Sequence, residues 1–290
     1  LEKLSKEFIK PFDLSKPPLF RAKLINFTNN KSALLIDMHH IISDGTSLSI
    51  LANEFYKLYN DEQLPELEIT YKDFAVFQNE MLSTEKLKKE ENYWLNQFKG
   101  EIPVLNLPTN HPRPTIQSFE GKKIHSYINQ EATKKIYNTA NKLGVTPYML
   151  LLACYYILLS KYTSQNDIVV GSPIANREET DISNIIGMFV NTIALRNKID
   201  NNQSFKDLSL KIKENVLEAY KYQAYPFDEL VNTLKIKRDN SRNPLFDTMF
   251  IYQNNGLFSI NLNGIDVNYY MPDTHISKFD LSLEAMPENG

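Results

Sequence analysis

The apolar run YMLLLACYYILL at residues 148–159 constrains the fold of this chain more than any other stretch. A membrane-spanning helix needs about 20 consecutive apolar residues, so the run is too short to cross a bilayer. It predicts instead a helix over 146–163 that is buried on most of its sides. Ahead of it, NQEATKKIYNTANKLG has the spacing of an amphipathic helix closed by Gly144, and behind it DIVVGSPIA reads as a strand. Stacked layers of helix and sheet satisfy that order, so the predicted class is α/β (α+β layered). Of the 290 residues 42% are hydrophobic, with 16 Tyr and 16 Phe, enough core for one large domain or two lobes.

Other segments follow the same logic. LFRAKLINFTNNKSALLIDMHH reads as a hairpin with an Asn-Asn turn. After Gly45, the residues Leu48, Leu51, Phe55 and Leu58 fall at helical spacing, with Thr46 or Ser47 as N-cap. STEKLKKEENYWLNQFKG predicts a helix ending near Gly100. Four prolines between 103 and 114 mark an extended connector. The expected organisation is therefore a first lobe over 1–102, a connector over 103–118 and a second lobe over 119–290. In that second lobe, FKDLSLKIKENVLEAYKYQ reads as a long helix and PFDELVNTL as a short one begun by Pro226. LFDTMFIYQN, LFSINL, IDVNYYM and FDLSLEAM read as strands. The chain opens at Leu1 and closes at Gly290, and both ends read as cut from something longer.

The net charge is −3, from 32 basic and 35 acidic side chains without a Lys/Arg run, a pattern that marks no nucleic-acid partner. The single cysteine, Cys154, excludes an internal disulfide framework and is expected to be a small buried hydrophobe, a usage that suits the cytoplasm.

Two adjacent histidines end the second hairpin strand, in MHHIISDGTS at 38–47. Successive strand residues point to opposite faces, so His39 and His40 cannot grip one metal together, and His111, His125 and His275 add no ligand spacing. His40 shares a strand face with Leu34, Ile36 and Met38, where desolvation would favour a neutral, proton-accepting imidazole. Asp44-Gly45 then turns the chain into a helix, whose free N–H groups can stabilise a developing oxyanion. The residues themselves leave two readings of His40 open: an acyl-transfer base, or a core histidine with its hydrogen bonds satisfied. Asp44 likewise either bonds near His40 or pairs with an arginine that holds the loop.

HHIISDG resembles the HHxxxDG motif of the condensation domains of nonribosomal peptide synthetases, which belong with the chloramphenicol acetyltransferase-like acyltransferases. Further segments match in order: YKDFAVFQ (71–78) is similar to YxDFAVW, with Phe77 at the Trp position, and IGMFVNTIALR (186–196) to IGxFVNTxxxR. YQAYPFDEL (222–230) is similar to HQDYPFE, and RDNSRNPLF (238–246) to RDxSRNPLF. The family's two earliest motifs are absent.

The resemblance implies a two-lobed chloramphenicol acetyltransferase-like fold with an incomplete N-terminal lobe. It also implies amide formation between an upstream acyl thioester and the amine of a downstream aminoacyl thioester. Both would be carried on 4'-phosphopantetheine arms of carrier proteins, with adenylation domains in the same assembly line and no cofactor or metal bound directly. His40 matches the catalytic histidine and Gly45 the glycine beside the reaction centre; His39 and Asp44 match positions that shape the loop. Asn191, Arg238, Arg242 and Asn243 match supporting positions, with backbone capping and substrate contact both open for Asn191 and Asn243. The resemblance places the arginine that pairs with Asp44 in a missing early motif, so Asp44 is expected to lack its partner. Two alternatives remain: an epimerization domain of the same machinery, disfavoured by RDNSRNPL and by the want of an EGHGRE-like segment, and a non-catalytic platform for carrier proteins.

Overall fold

Alternation between 20 and 38 produces the expected hairpin: β1 (Phe20–Asn26) and β2 (Ser32–Met38) pair antiparallel, with Phe20 opposite Met38 and Asn26 opposite Ser32. Arg21 and Asp37, directly opposite, form an ion pair of 3.1 Å, and the Arg21 guanidinium lies 3.7 Å from the centre of the Phe12 ring. The structure, a computed structural model, describes residues 1–28, 30–177, 180–237, 239–253, 262 and 264–287. A short helix, α1 (Glu2–Phe8), precedes the hairpin. After it come a 3-10 turn at His40–Ile42, α2 (Gly45–Tyr59) and α3 (Tyr71–Met81).

These elements, α3 as far as Gln78, belong to the first of two compact units, which comprises Leu1–Gln78, Arg177–Val190 and Leu257–Thr274. Its apolar centre is small: Ile182, Ile185 and Phe189 are buried, flanked by Ile69, Tyr71 and Phe74. The apolar face of the hairpin is open, with Leu24 63% and Ile36 46% exposed. The helical spacing of α2 is as expected, yet Phe55 and Leu58 on it are also exposed.

The second unit comprises Asn79–Asn176, Asn191–Gly256 and His275–Gly290. It opens with α4 (Glu85–Gln97), capped by the Thr84 hydroxyl on the Leu87 amide, followed by α5 (Gln130–Leu143) and α6 (Pro147–Thr163). Gly144 ends α5 in the left-handed conformation, at φ +66, as a helix C-terminus favours. The strands β3 (Asp167–Ile174) and β4 (Asn191–Lys198) follow, then α7 (Phe205–Lys221) and α8 (Phe227–Thr233). Last come β5 (Thr248–Tyr252) and β6 (Leu281–Ala285).

The four strands order as β4-β3-β5-β6, antiparallel at β3/β4 and parallel at β3/β5 and β5/β6. The apolar run forms α6 and supplies the centre of the core: Leu152, Ala153, Tyr155, Tyr156 and Leu159 are buried, along with Val170, Ile193 and Phe250. The buried tyrosine hydroxyls find partners, Tyr156 donating to the Leu195 carbonyl at 2.7 Å and Tyr155 meeting Thr248 Oγ1.

The structure departs from expectation at several points. Cys154 is exposed. It shares a solvent-facing stripe of α6 with Leu158, Lys161 and Tyr162, at helical spacing, so burial of that helix stops short of one face. IDVNYYM forms no strand; only an isolated bridge joins Leu262 and Ile265, while 257–261 lies outside the described residues. The units also divide at Gln78/Asn79 and at Asn176/Arg177 rather than at the proline-rich stretch. Residues 79–102 join the second unit because Leu87, Trp94 and Phe98 enter its core and Trp94 Nε1 donates to the Tyr222 carbonyl at 2.8 Å. Among the described residues no single helix is long and apolar enough to cross a membrane.

Candidate active site

The cap of α2 organises the first unit. Asp44, not Thr46 or Ser47, is the N-cap: its extended backbone lets Oδ1 accept the Ser47 amide at 2.7 Å. Its carboxylate is only 2% exposed and fully engaged. Oδ1 also accepts the Ser47 hydroxyl at 2.8 Å, Oδ2 accepts the Phe189 amide at 3.1 Å, and Arg177 Nη2 lies 3.0 and 3.1 Å from the two oxygens. Burial by itself would raise this carboxyl, but the Ser47 amide and hydroxyl, the Phe189 amide and the Arg177 charge outweigh it. The net position is below the ordinary aspartate value.

The partner of Asp44 is therefore inside the chain, contrary to the expectation that it belongs to a missing motif. Arg177 is itself buried, donates through Nη1 to the carbonyls of Ile182 and Ile185 at 2.9 and 2.7 Å, and lies 4.0 Å from the Phe189 ring centre. Tyr71 completes the clasp by donating to the Met188 carbonyl at 2.8 Å. A side chain at Gly187 would collide with the Tyr71 ring, which is why glycine stands there.

The histidines sit differently from the strand-based expectation. β2 stops at Met38, and His39 is the N-cap of the following 3-10 turn, its Nδ1 accepting the Ile41 amide at 3.1 Å. The His39 ring meets Phe12 edge-on with centroids 6.1 Å apart. His40 begins the turn, so strand alternation no longer sets its direction, and it is exposed rather than desolvated among Leu34, Ile36 and Met38. Its state is set by a bond instead: Nδ1 lies 2.7 Å from the Ser43 carbonyl. A carbonyl only accepts, so Nδ1 is the donor, and in the neutral ring the lone pair is on Nε2. Gly45 starts α2 in open space; a Cβ there would meet nothing within 4 Å, so packing does not demand a glycine.

The supporting residues lie in the second unit. Asn191 uses its whole amide on backbone: Nδ2 donates to the carbonyls of Gln223 and Tyr225, both at 2.8 Å, and Oδ1 accepts the amides of Thr192 and Phe227 at 2.8 and 3.1 Å. It thereby serves the start of α8, whose N-cap Pro226 has no capping side chain. Arg242 donates to the Leu105 carbonyl at 2.9 Å and pairs with Asp247, and Asn243 donates to the Lys278 carbonyl at 2.8 Å. Arg238 lies outside the described residues. No group of three or more His, Cys, Asp or Glu among the described residues is arranged to hold a metal ion.

The sequence matches the profile of the condensation domain family over residues 1–290. The chain belongs to that family. It is 48% identical over 288 residues to gramicidin S synthase 2 of Brevibacillus brevis, covering 99% of this chain and 6% of that protein. Tyrocidine synthase 3 of Brevibacillus parabrevis is also 48% identical, over 98% of this chain and 4% of its own length. The chain thus spans a small fraction of the synthetases it matches. Among solved structures, the X-domain from teicoplanin biosynthesis superposes with a TM-score of 0.89 at 18% identity, over 99% of this chain and 67% of that one. A four-domain nonribosomal peptide synthetase bound to AMP and glycine gives 0.80 at 25% identity, over 88% and 19%. The fold is the mixed α/β, chloramphenicol acetyltransferase-like one of condensation domains.

Sequence reasoning missed Arg177, Ser47 and Gly187 as members of the Asp44 cluster. An Asp-x-x-Ser step at a helix start signals the Ser47 bond. No local spacing ties Arg177 to Asp44, because the pairing depends on the return of 177–190 to the first unit.

Proposed function

We propose that this chain carries the reaction centre of an amide-forming condensation domain, an acyltransferase in which His40 handles the proton of the attacking amine. The observation that supports this most is the bond between His40 Nδ1 and the Ser43 carbonyl, which in the neutral ring puts the lone pair on Nε2 of an exposed side chain. The substrates are an upstream acyl or peptidyl thioester and a downstream aminoacyl thioester, each on the phosphopantetheine arm of a carrier protein loaded by an adenylation domain, in the cytoplasm. The relatives that make gramicidin S and tyrocidine support that class.

An α-amine has a pKa of about 7.7–8.0, so much of it is protonated at neutral pH. Nε2 accepts a proton from the amine, or orients its neutral form, as nitrogen attacks the thioester carbonyl. The carbonyl oxygen becomes an oxyanion; when it collapses, the C–S bond breaks and the leaving thiolate takes a proton back from the imidazolium. The amides of Gly45 and Thr46, at the start of α2, are suited to the oxyanion. Gly45 matches the glycine that condensation domains place beside the reaction centre. Asp44 has every acceptor position filled, so its part is to hold the loop. Because the thioester is already activated, positioning supplies much of the rate.

The test is peptide formation between two loaded carriers by the synthetase that contains these residues. His40→Ala is expected to cut turnover by about 10²- to 10⁴-fold and to leave the unfolding midpoint unchanged, since His40 is exposed. Near wild-type turnover would refute the role. If the variant lost α-proton exchange instead of condensation, the epimerization reading would replace this one; loss of neither, with carrier binding intact, would point to a docking platform.

A further inference from the structure

We infer that Ser47, acting with Gly187, is a positioning residue for His40: its buried hydroxyl locks the turn whose carbonyl orients the imidazole. The inference rests on the catalytic reading of His40 above. Ser47 is 0% exposed. Its Oγ lies 2.8 Å from Asp44 Oδ1, 2.8 Å from the Gly187 carbonyl, 3.0 Å from the Gly187 amide and 3.0 Å from Arg177 Nη2. A hydroxyl offers one proton and two lone pairs. The Gly187 N–H and the Arg177 N–H fill the lone pairs, and the single proton is shared between the Asp44 carboxylate and the Gly187 carbonyl. One small side chain thus uses every bond it can make.

That arrangement fixes Gly187 from two sides. Ser47 Oγ holds both its N–H and its C=O, while the Tyr71 ring occupies the space a side chain would need. The same hydroxyl holds Asp44, and Asp44 directly follows Ser43, whose carbonyl accepts the His40 Nδ1–H at 2.7 Å. Without the hydroxyl, the Gly187 amide, one Arg177 N–H and the carboxylate each lose a partner in a site with no room for exposure to water. The Ser43–Asp44 peptide is then held by fewer bonds, those of the Ser47 and Phe189 amides and Arg177 to the carboxylate, and the acceptor of Nδ1 is less tightly fixed. The imidazole populates both tautomers, and in one of them the proton sits on Nε2, where the lone pair is needed. A serine that served the fold alone would weaken stability on removal without moving that tautomer.

The experiment labels the 290-residue chain with ¹⁵N-histidine, which gives five ring systems. The His40 signals are assigned by their loss in His40→Ala. In the pH range where the ring is neutral, the wild type is expected to show a single Nδ1–H tautomer, and Ser47→Ala a mixture. In the synthetase, Ser47→Ala is expected to slow condensation by about 10- to 100-fold, the scale of a misplaced catalytic group. Ser47→Cys puts a slightly larger, weaker donor and acceptor at the same place and should fall between the two, and it carries the test if Ser47→Ala does not fold. A folded variant with the wild-type tautomer, or one with an altered tautomer and an unchanged rate, overturns the inference. Wild-type condensation by His40→Ala would instead refute the catalytic reading, and the tautomer result of the Ser47 variants would show separately whether the turn obeys this geometry.

Discussion

The two compact units solve the problem of order by different means. In the second, Leu152, Ala153, Tyr156, Val170, Ile212 and Phe250 are buried almost completely, and the helices and sheet pack around them. In the first, Leu24, Leu34, Ile36 and Leu58 stand exposed, and the polar Asp44 and Ser47 are buried as fully as the few apolar residues of its centre, Ile185 and Phe189. An apolar core fills volume and tolerates shifts of a few tenths of an ångström, whereas hydrogen bonds and ion pairs fix direction. The unit that carries His40 is held by directional bonds.

Breaking the polar cluster is the largest expected effect. Asp44→Ala strands Arg177 in a buried site, and loss of one partner of such a pair costs about 3–5 kcal/mol. The loss should register in the unfolding of the first unit and leave the second unchanged, as followed by fluorescence of Trp94, which lies in the second unit, beside a probe engineered near Tyr71. A single transition shared by both units would remove the distinction between them.

Acid should sharpen the contrast. The Asp44 carboxyl lies below its ordinary value of 3.8, despite the opposing pull of burial. A depressed folded pKa means its stabilisation is complete above the unfolded value and is lost as the pH falls through the folded one. Asp247 is raised above 3.8, chiefly by burial, against the pull of Arg242. Its contribution has the opposite sign, present below the unfolded value and lost as the pH rises through the folded one. Titration from about pH 5 to about pH 2 is therefore expected to loosen the Asp44 cluster first, read from the exchange rates of backbone amides in each unit. Loosening of β5 before the Asp44 cluster would contradict these signs.

Much of this arrangement was legible in the chain itself. The hairpin, α4 to α8 and strands β3 and β5 follow periodicity and the end signals that residues such as Gly144 and Pro226 announce. Burial was less legible, because period tells which residues share a face and not whether anything covers it; Leu24, Phe55 and Cys154 show the gap. The strand expected at IDVNYYM is missing for a similar reason, since β propensity produces a strand only where a partner strand is available. At the site, His40, Asp44 and Asn191 could be singled out by type and motif. The direction of His40 could not, because alternation ends at Met38, and Arg177 could not, because its pairing spans 133 positions of sequence.

The smallest expected effect concerns the open hairpin face. Leu24→Ser and Ile36→Ser remove exposed apolar surface, so each should change stability by about 0.5 kcal/mol or less. Both should reduce any self-association seen by sedimentation, because exposed apolar faces favour it. A large loss of stability would mean that this face is covered in solution.

Amide hydrogen exchange at Gly187 and Phe189 tests most directly whether the polar cluster holds the first unit. The Gly187 amide donates to Ser47 Oγ and the Phe189 amide to Asp44 Oδ2, at 3.0 and 3.1 Å, so each reports on one bond of the cluster. In Asp44→Ala both amides should lose their protection while those of Val170 and Ile193, in the second unit, keep theirs. Retained protection at Gly187 and Phe189 in that variant would show that something other than the Asp44 cluster keeps 177–190 in place.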